Sequence, residues 1–131
     1  MDRLIYRSRA RWPAPEVALD GILDASLVNN PRLGITGALG FSGGTYVQLL
    51  EGPGASLDAL LRQLAADPRH GGIDILVRAR VAGRLVPDWT MARVDLADIA
   101  PLAEERIEAR DGPGLTALLA NLSHRGVSSM R

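Results

Sequence analysis

Apolar residues recur every second position in some segments of the chain and every third or fourth position in others, which predicts a mixture of strands and helices. Strands are expected at 4–8, 34–41, 45–52, 73–81 and 89–96, and helices at 15–30, 53–67, 98–110 and 114–123. The first helix should stop at Asn29, Asn30 and Pro31, because a proline cannot continue it. Gly43 and Gly44 can adopt the positive φ angles of a tight turn, so the second and third strands should form a hairpin.

This order of elements, βαββαβ followed by a fifth strand and a helical tail, is typical of an α+β ferredoxin-like sandwich. In that fold we expect the first and third strands to be parallel neighbours at the centre of the sheet, with the first two helices on one face. Tyr6 and Gln48 would then share the helix-facing side, since alternate residues of a strand point the same way. The other side carries Ile5, Val47 and Leu49, and it needs a cover from the helical tail or from a second subunit.

The composition of the 131-residue chain narrows the classes of function. It contains no cysteine, which removes disulfides, thiolate metal sites and thiol nucleophiles, and its two histidines, His70 and His124, are far apart in sequence and make a metal site improbable. Fifteen basic residues balance fifteen acidic ones, so we expect no direct binding to nucleic acid or to anionic lipid. The start lacks a signal peptide's apolar run, and no segment approaches the ~20 apolar residues of a membrane span, which predicts a soluble cytoplasmic protein.

Gln48 is the residue that first points to a function. It lies inside an apolar strand, where an unpaired buried amide costs on the order of 1–3 kcal/mol, so it requires a polar partner. The Tyr6 hydroxyl should lie within its reach. On the first helix Ile22, Ser26 and Asn30 are spaced by four and form one line, so a second amide can approach the same space. These side chains predict a polar site between the sheet and the helices, completed either by neighbouring protein groups or by a bound ligand.

Five segments of the chain, at 4–10, 29–39, 47–52, 67–70 and 87–91, occur in an order and at a spacing that resemble those of a BLUF domain, a small flavin-binding sensor of blue light. The resemblance extends over residues 3 to 96 and agrees with the strand order derived independently from the apolar pattern. It implies a BLUF flavin-binding core over 1–96, followed by a C-terminal helical tail of the same domain over 97–131. It also implies a photoreceptor and not an enzyme.

The resemblance implies roles for individual residues. FAD would bind non-covalently with its isoalloxazine ring between the two helices. Tyr6 matches the photoactive tyrosine, which gives an electron and then a proton to the excited flavin, and Gln48 matches the glutamine between that phenol and the flavin. Trp89 and Met91 match a pair that relays the signal. The residues expected to contact the cofactor are Ile22, Ser26, Asn29, Asn30, Gln48, Leu64, Asp67, Arg69 and His70.

Each of these residues also has a structural explanation when taken alone. Tyr6, Trp89 and Met91 would serve as core residues, the asparagine pair as a helix end, and His70 as a solvated residue. Two other classes of function stay open. One is a flavin-free ferredoxin-like docking or dimerisation module; the other is an acylphosphatase-like enzyme, which is disfavoured because the loop after the first strand lacks a glycine-rich phosphate cradle. Without an effector domain, a sensor would signal through an unidentified protein partner or through self-association, and we expect a homo-oligomer.

Overall fold

The structure is a computed structural model, and it describes residues 1–10, 30–42, 45–66, 70–86, 91–95, 105–123 and 128–130. The strands within these ranges are Asp2–Ala10 (β1), Thr36–Ser42 (β2), Thr45–Gly52 (β3), His70–Arg80 (β4), Met91–Asp95 (β5) and Ser128–Met130 (β6). The two longer helices are Gly54–Ala66 (α1), which is the second helix predicted from the sequence, and Gly112–Ser123 (α2). Residues 30–33 and 105–108 are also helical.

The described strands form one sheet in the order β4-β1-β3-β2-β5-β6. β1 is antiparallel to both of its neighbours, β3 and β4, so the predicted parallel pairing of the first and third strands is wrong. β1 and β2 run in the same direction, and β3 is inserted between them. Because the hairpin makes β3 antiparallel to β2, β3 is also antiparallel to β1. β2 pairs in parallel with β5 on its other side. The α+β ferredoxin-like fold is confirmed.

The helix that carries Asn30 does not stop at Pro31, as the sequence had predicted, but stays helical to Leu33. Its end is set by Gly34, which has a positive φ of 69°. The amide of Gly34 donates to the carbonyl of Pro31 at 3.3 Å and the amide of Ile35 to that of Asn30 at 2.9 Å. These two bonds form a Schellman cap, in which a glycine takes the left-handed conformation that ends a helix.

Other boundaries differ from the predicted ones. β4 begins at His70, which pairs with Ala10, so His70 belongs to a strand and not to the end of the second helix, which stops at Ala66. The tail was predicted as two helices with no strand, but Ser128–Met130 adds a strand to the edge of β5. The predicted helix at 15–30 lies outside the described residues except for Asn30. No helix in the described ranges is long and apolar enough to cross a bilayer.

Two separate apolar cores cover the two faces of the sheet. On one face, the predicted apolar stripe of α1 packs against alternate residues of β1, β2 and β3; this core contains Leu4, Tyr6, Ile35, Leu39, Tyr46, Leu50, Leu57, Leu60 and Leu64. On the other face lie Ile5, Ala38, Val47, Leu49, Val86, Ile107, Leu115 and Leu119. The sequence left open whether the tail or a second subunit covers this second face. Ile107, Leu115 and Leu119 belong to the tail, so the tail covers it.

Candidate functional site

Tyr6 and Gln48 are partners at the centre of the sheet. They lie directly opposite each other on β1 and β3, and their side chains are 0% and 2% exposed. The Tyr6 hydroxyl donates a hydrogen bond to Oε1 of Gln48. The amide predicted to need a polar partner inside the apolar strand therefore has one, and the prediction that the two side chains share a face is confirmed.

The surroundings of this pair are apolar on one side and partly polar on the other. Leu4 and Leu50 form the next pair on the same face toward one end of the two strands, and Ser8 and Tyr46 form the next pair toward the other end. All four are buried. A hydrogen bond in such a dry environment is electrostatically stronger than one in water, so the geometry of the Tyr6–Gln48 pair is well defined.

A second buried amide lies just before the Gly34 cap. Asn30 is 1% exposed and lies in the helical residues that end at the Gly34 cap. A primary amide offers both a donor and an acceptor, and the edge of an isoalloxazine ring presents carbonyl oxygens and a ring nitrogen that need both kinds of partner. The buried amides of Gln48 and Asn30, with the phenol of Tyr6, are therefore a donor and acceptor set that fits a flavin.

The remaining predicted site residues fall into two groups. The first group lies within the described residues. Leu64 of α1 is 9% exposed and packs in the same core as Tyr6. His70 is the first residue of β4, and Met91 is the first residue of β5. The others lie outside the described residues: Ile22, Ser26, Asn29, Asp67, Arg69 and Trp89.

Three buried polar residues on these strands were not among the predicted site residues. Ser8 and Tyr46 are 1% and 0% exposed on the face that carries Gln48; their even spacing from Tyr6 and Gln48 along the strands was the signal for them. Glu51 is 0% exposed on the opposite face. A charged residue at the end of an otherwise apolar strand was its signal, because a buried carboxylate needs compensating donors.

Charged groups join the edge of the sheet to the tail. Asp74 of β4 accepts hydrogen bonds from Nε of Arg7 at 3.0 Å and from the Arg110 guanidinium at 2.9 and 3.1 Å. Arg110 also donates to the carbonyl of Ile75 at 3.0 Å. The hydrogen bond from Arg110 holds the pKa of the Asp74 carboxyl below its usual range, the two positive charges and the bond from Arg7 act in the same direction, and partial burial opposes them.

The sequence matches the family model described as BLUF, sensors of blue light using FAD, over residues 1–92. Among solved structures, the dark state of the BLUF protein BlrB superposes with a TM-score of 0.78 at 38% identity, covering 92% of each chain. The photo-activated state of BlsA gives a TM-score of 0.82 over 99% of this chain and all of that one, at 21% identity, and shows the fold alone.

A curated relative, the photoactivated adenylate cyclase subunit beta of Euglena longa, is 32% identical over 105 residues, which are 77% of this chain. The match spans only 12% of that relative's length. The cyclase activity in its name therefore belongs to a protein much longer than the matched region.

These matches and the geometry of the site agree. The chain belongs to the BLUF family, the blue-light sensors that use FAD, and FAD is its cofactor. Its fold and its likeness to BlrB extend beyond the family match into the helical tail, since the superposition covers 92% of the chain. The family assignment favours the sensor over the flavin-free docking module and the acylphosphatase-like enzyme.

Proposed function

We propose that this protein is a blue-light photoreceptor in which Tyr6 and Gln48 form the photoactive pair. The observation that carries the proposal is the buried hydrogen bond from the Tyr6 hydroxyl to Oε1 of Gln48. FAD, when bound, supplies the light absorption and an excited state that accepts an electron. The protein supplies the donor, the proton path and the dry environment.

Tyr6 is the electron donor in this proposal. When its phenol loses an electron it becomes a strong acid, so its O–H bond breaks and the proton moves along the existing hydrogen bond toward Gln48. The electron and the proton both return to the phenol in recovery, which leaves no net redox change in the protein. The existing bond makes this transfer fast because no side chain has to move before the proton does.

Gln48 is the switch. A carboxamide has different hydrogen-bonding atoms at its two ends, so rotation or tautomerisation exchanges what it offers to Tyr6 and to the flavin. Because the amide is 2% exposed, water cannot compensate for a lost bond, and each arrangement must find its partners within the site. Two discrete arrangements are therefore expected, and only one is populated in the dark.

The proposed contacts to the cofactor rest on the family resemblance, and the burial of Asn30 and Leu64 is consistent with it. Asn30 is proposed to bond the carbonyl edge of the ring, and Leu64 to pack against the ring from α1. The roles proposed for the remaining residues rest on the family resemblance: Ile22, Ser26, Asn29, Asp67, Arg69 and His70 at the cofactor, and Trp89 and Met91 in relaying the signal. The 1–96 core and the 97–131 tail are proposed as parts of one domain.

The output of the sensor is proposed to pass through the tail to a protein partner or to a change in self-association, with a homo-oligomer as the resting form. Apart from the cyclase relative described above, an Escherichia coli relative, 36% identical over 70 residues, is named as a blue light- and temperature-regulated antirepressor. The names of these relatives indicate that BLUF domains serve different outputs. Scattering in the dark and under blue light tests the proposed self-association.

The test of the photoactive pair is the light-minus-dark absorption spectrum of the purified, FAD-loaded protein. We expect a small reversible red shift in the wild type and none in Tyr6→Phe or Gln48→Leu. Tyr46→Phe is the matched control, because it removes a second buried phenol from the same core while Tyr6 and Gln48 stay in place. An undiminished shift in Tyr6→Phe and Gln48→Leu would remove both residues from the mechanism.

A further inference from the structure

Glu51 is a buried carboxylate for which the photoactive site has no use. Its side chain is 0% exposed. Nε of Arg3 donates to it at 2.8 Å, the amide of Leu85 at 2.8 and 3.0 Å to its two oxygens, and the amide of Val86 at 2.9 Å. The carboxylate thus binds the backbone of a segment far away in sequence to the end of β3.

Arg84 connects the same segment to β2, to the backbone of β3 and to the Gly34 cap. Its guanidinium donates to Oγ1 of Thr36 at 2.8 Å, to the carbonyl of Glu51 at 2.8 Å and to the carbonyl of Gly34 at 2.7 Å. Gly34 is the cap of the helical residues that carry Asn30, and Thr36 begins β2. Glu51 and Arg84 together, with Arg3, are called the Glu51 clamp below.

The clamp lies between the photoactive face and the tail. Glu51 comes three residues after Gln48 on β3, and an odd separation places it on the opposite face of the sheet. The segment it holds contains Val86, which is 0% exposed and packs in the core formed with Ile107, Leu115 and Leu119 of the tail. The same segment leads along the chain to Trp89 and Met91.

We propose that Glu51 is a positioning residue that couples the strand carrying Gln48 to the tail, through the backbone amides of Leu85 and Val86. This inference rests on the proposed function. When the amide of Gln48 changes its partners, β3 adjusts, and the clamp imposes the same displacement on Val86 and on the tail helices packed against it. Buried charge-assisted hydrogen bonds suit this role, because they are short and directional.

The dark arm of the experiment measures amide hydrogen exchange in the FAD-loaded wild type, Glu51→Gln and Arg84→Met. Glutamine keeps the size of the side chain but loses the charge that Arg3 and the two amides share. We expect faster exchange of the Leu85 and Val86 amides in both variants. Two variants are used because they break the clamp from opposite sides, so the failure of one to fold leaves the other.

The light arm repeats the exchange measurement under blue light and records the absorption shift of the same samples. We expect the wild type to show a light-induced change in exchange within residues 105–123. In Glu51→Gln and Arg84→Met the red shift should stay, while the change in the tail should fall to less than about half of the wild-type value. A role confined to stability would not separate the spectral response from the tail response.

Asp58→Asn is the matched control. Asp58 is a carboxylate paired with Arg78 at 3.0 Å, but it lies on α1 and its side chain is 55% exposed. Its removal should leave both the shift and the tail response unchanged. The inference is overturned if the tail responds fully in the clamp variants, if it does not respond in a wild type that shifts, or if the Leu85 and Val86 amides stay protected in both variants. A wild type with no red shift instead refutes the proposed function.

Discussion

The hydroxyl of Tyr6 donates to the amide oxygen of Gln48 across two neighbouring antiparallel strands, in a place that water does not reach. The bond joins two side chains that stand 42 residues apart in sequence. Because the two residues are direct partners in the register, a shift of either strand by one residue would move one side chain to the other face and break the bond.

Removing both partners of this bond should destabilise the protein by less than the sum of the two single removals. Tyr6→Phe takes the donor from a buried amide oxygen, which costs about 1–3 kcal/mol. Gln48→Leu on the same background removes the amide oxygen that has lost the Tyr6 donor. We expect the double variant to be more stable than the sum of the single changes predicts, in urea unfolding of the dark protein. Strictly additive effects would mean that the two side chains are not coupled.

The Glu51 carboxylate should make a large contribution to the free energy of unfolding. Glu51→Ala leaves Arg3 and two backbone amides without their acceptor, and breaking a buried ion pair costs about 3–5 kcal/mol. The matched change Asp58→Ala removes an exposed pair and should cost less than about 1 kcal/mol. Chemical denaturation of both variants checks the difference. Equal losses would contradict the role assigned to burial.

The lowered pKa of Asp74 predicts how the free energy of unfolding changes with pH. Its folded pKa is lowered, so its contribution is present above the pKa of the unfolded carboxyl and is lost as the pH falls through the folded pKa. At neutral pH, Asp74→Asn should cost at most about 1 kcal/mol, because the side chain is partly exposed. Below about pH 4 the difference from the wild type should shrink. A difference that stays constant from neutral to acid pH in urea unfolding would contradict this assignment.

The tail should contribute to the stability of the core. Leu119 is 1% exposed and belongs to the core that the tail forms with residues of β1, β2 and β3, so Leu119→Ala should cost about 2–5 kcal/mol. Ile75 is 43% exposed, and Ile75→Ala should cost less than about 1 kcal/mol. Thermal or urea unfolding measures both. A tail that unfolds independently of the sheet would show little effect of Leu119→Ala on the main transition.

A side chain at Gly34 should lower the stability of the protein. Its φ of 69° is a conformation that costs an L-residue about 1–2 kcal/mol, and an added Cβ would meet only ordinary contacts with Pro53. Gly34→Ala should therefore lower stability by roughly that amount. Gly83→Ala is the control, since a Cβ there meets nothing within 4 Å and the φ is not positive. A cost that is the same for both would exclude backbone strain as the cause.

Strand periodicity was enough to predict much of this molecule. The alternation along β1 and β3 placed Tyr6 and Gln48 on one face, and the apolar outer face carrying Ile5, Val47 and Leu49 indicated a cover that the tail provides. Both inferences use local patterns. The direction of β3 relative to β1 depends instead on the order of the strands in the sheet, in which β3 lies between β1 and β2. Alternation within a strand carries no information about that order.

The missed features have physical reasons as well. Pro31 was taken as a helix stop, but the helical residues continue to Leu33, and the actual stop is the positive φ of Gly34. β6 is three residues long and is defined by its pairing with β5, not by its own pattern. Glu51 gave no sign of its partners, because Leu85 and Val86 bind it through backbone amides that every sequence possesses.

Among the residues that the structure describes, the two cores on either side of the sheet have no member in common. The sheet thus separates the proposed flavin site on one face from the tail on the other face. Substitutions in the core on the tail side need not change the absorption spectrum of the flavin. The same flavin site can in this way serve unrelated output partners, provided that a structural connection across the sheet is kept.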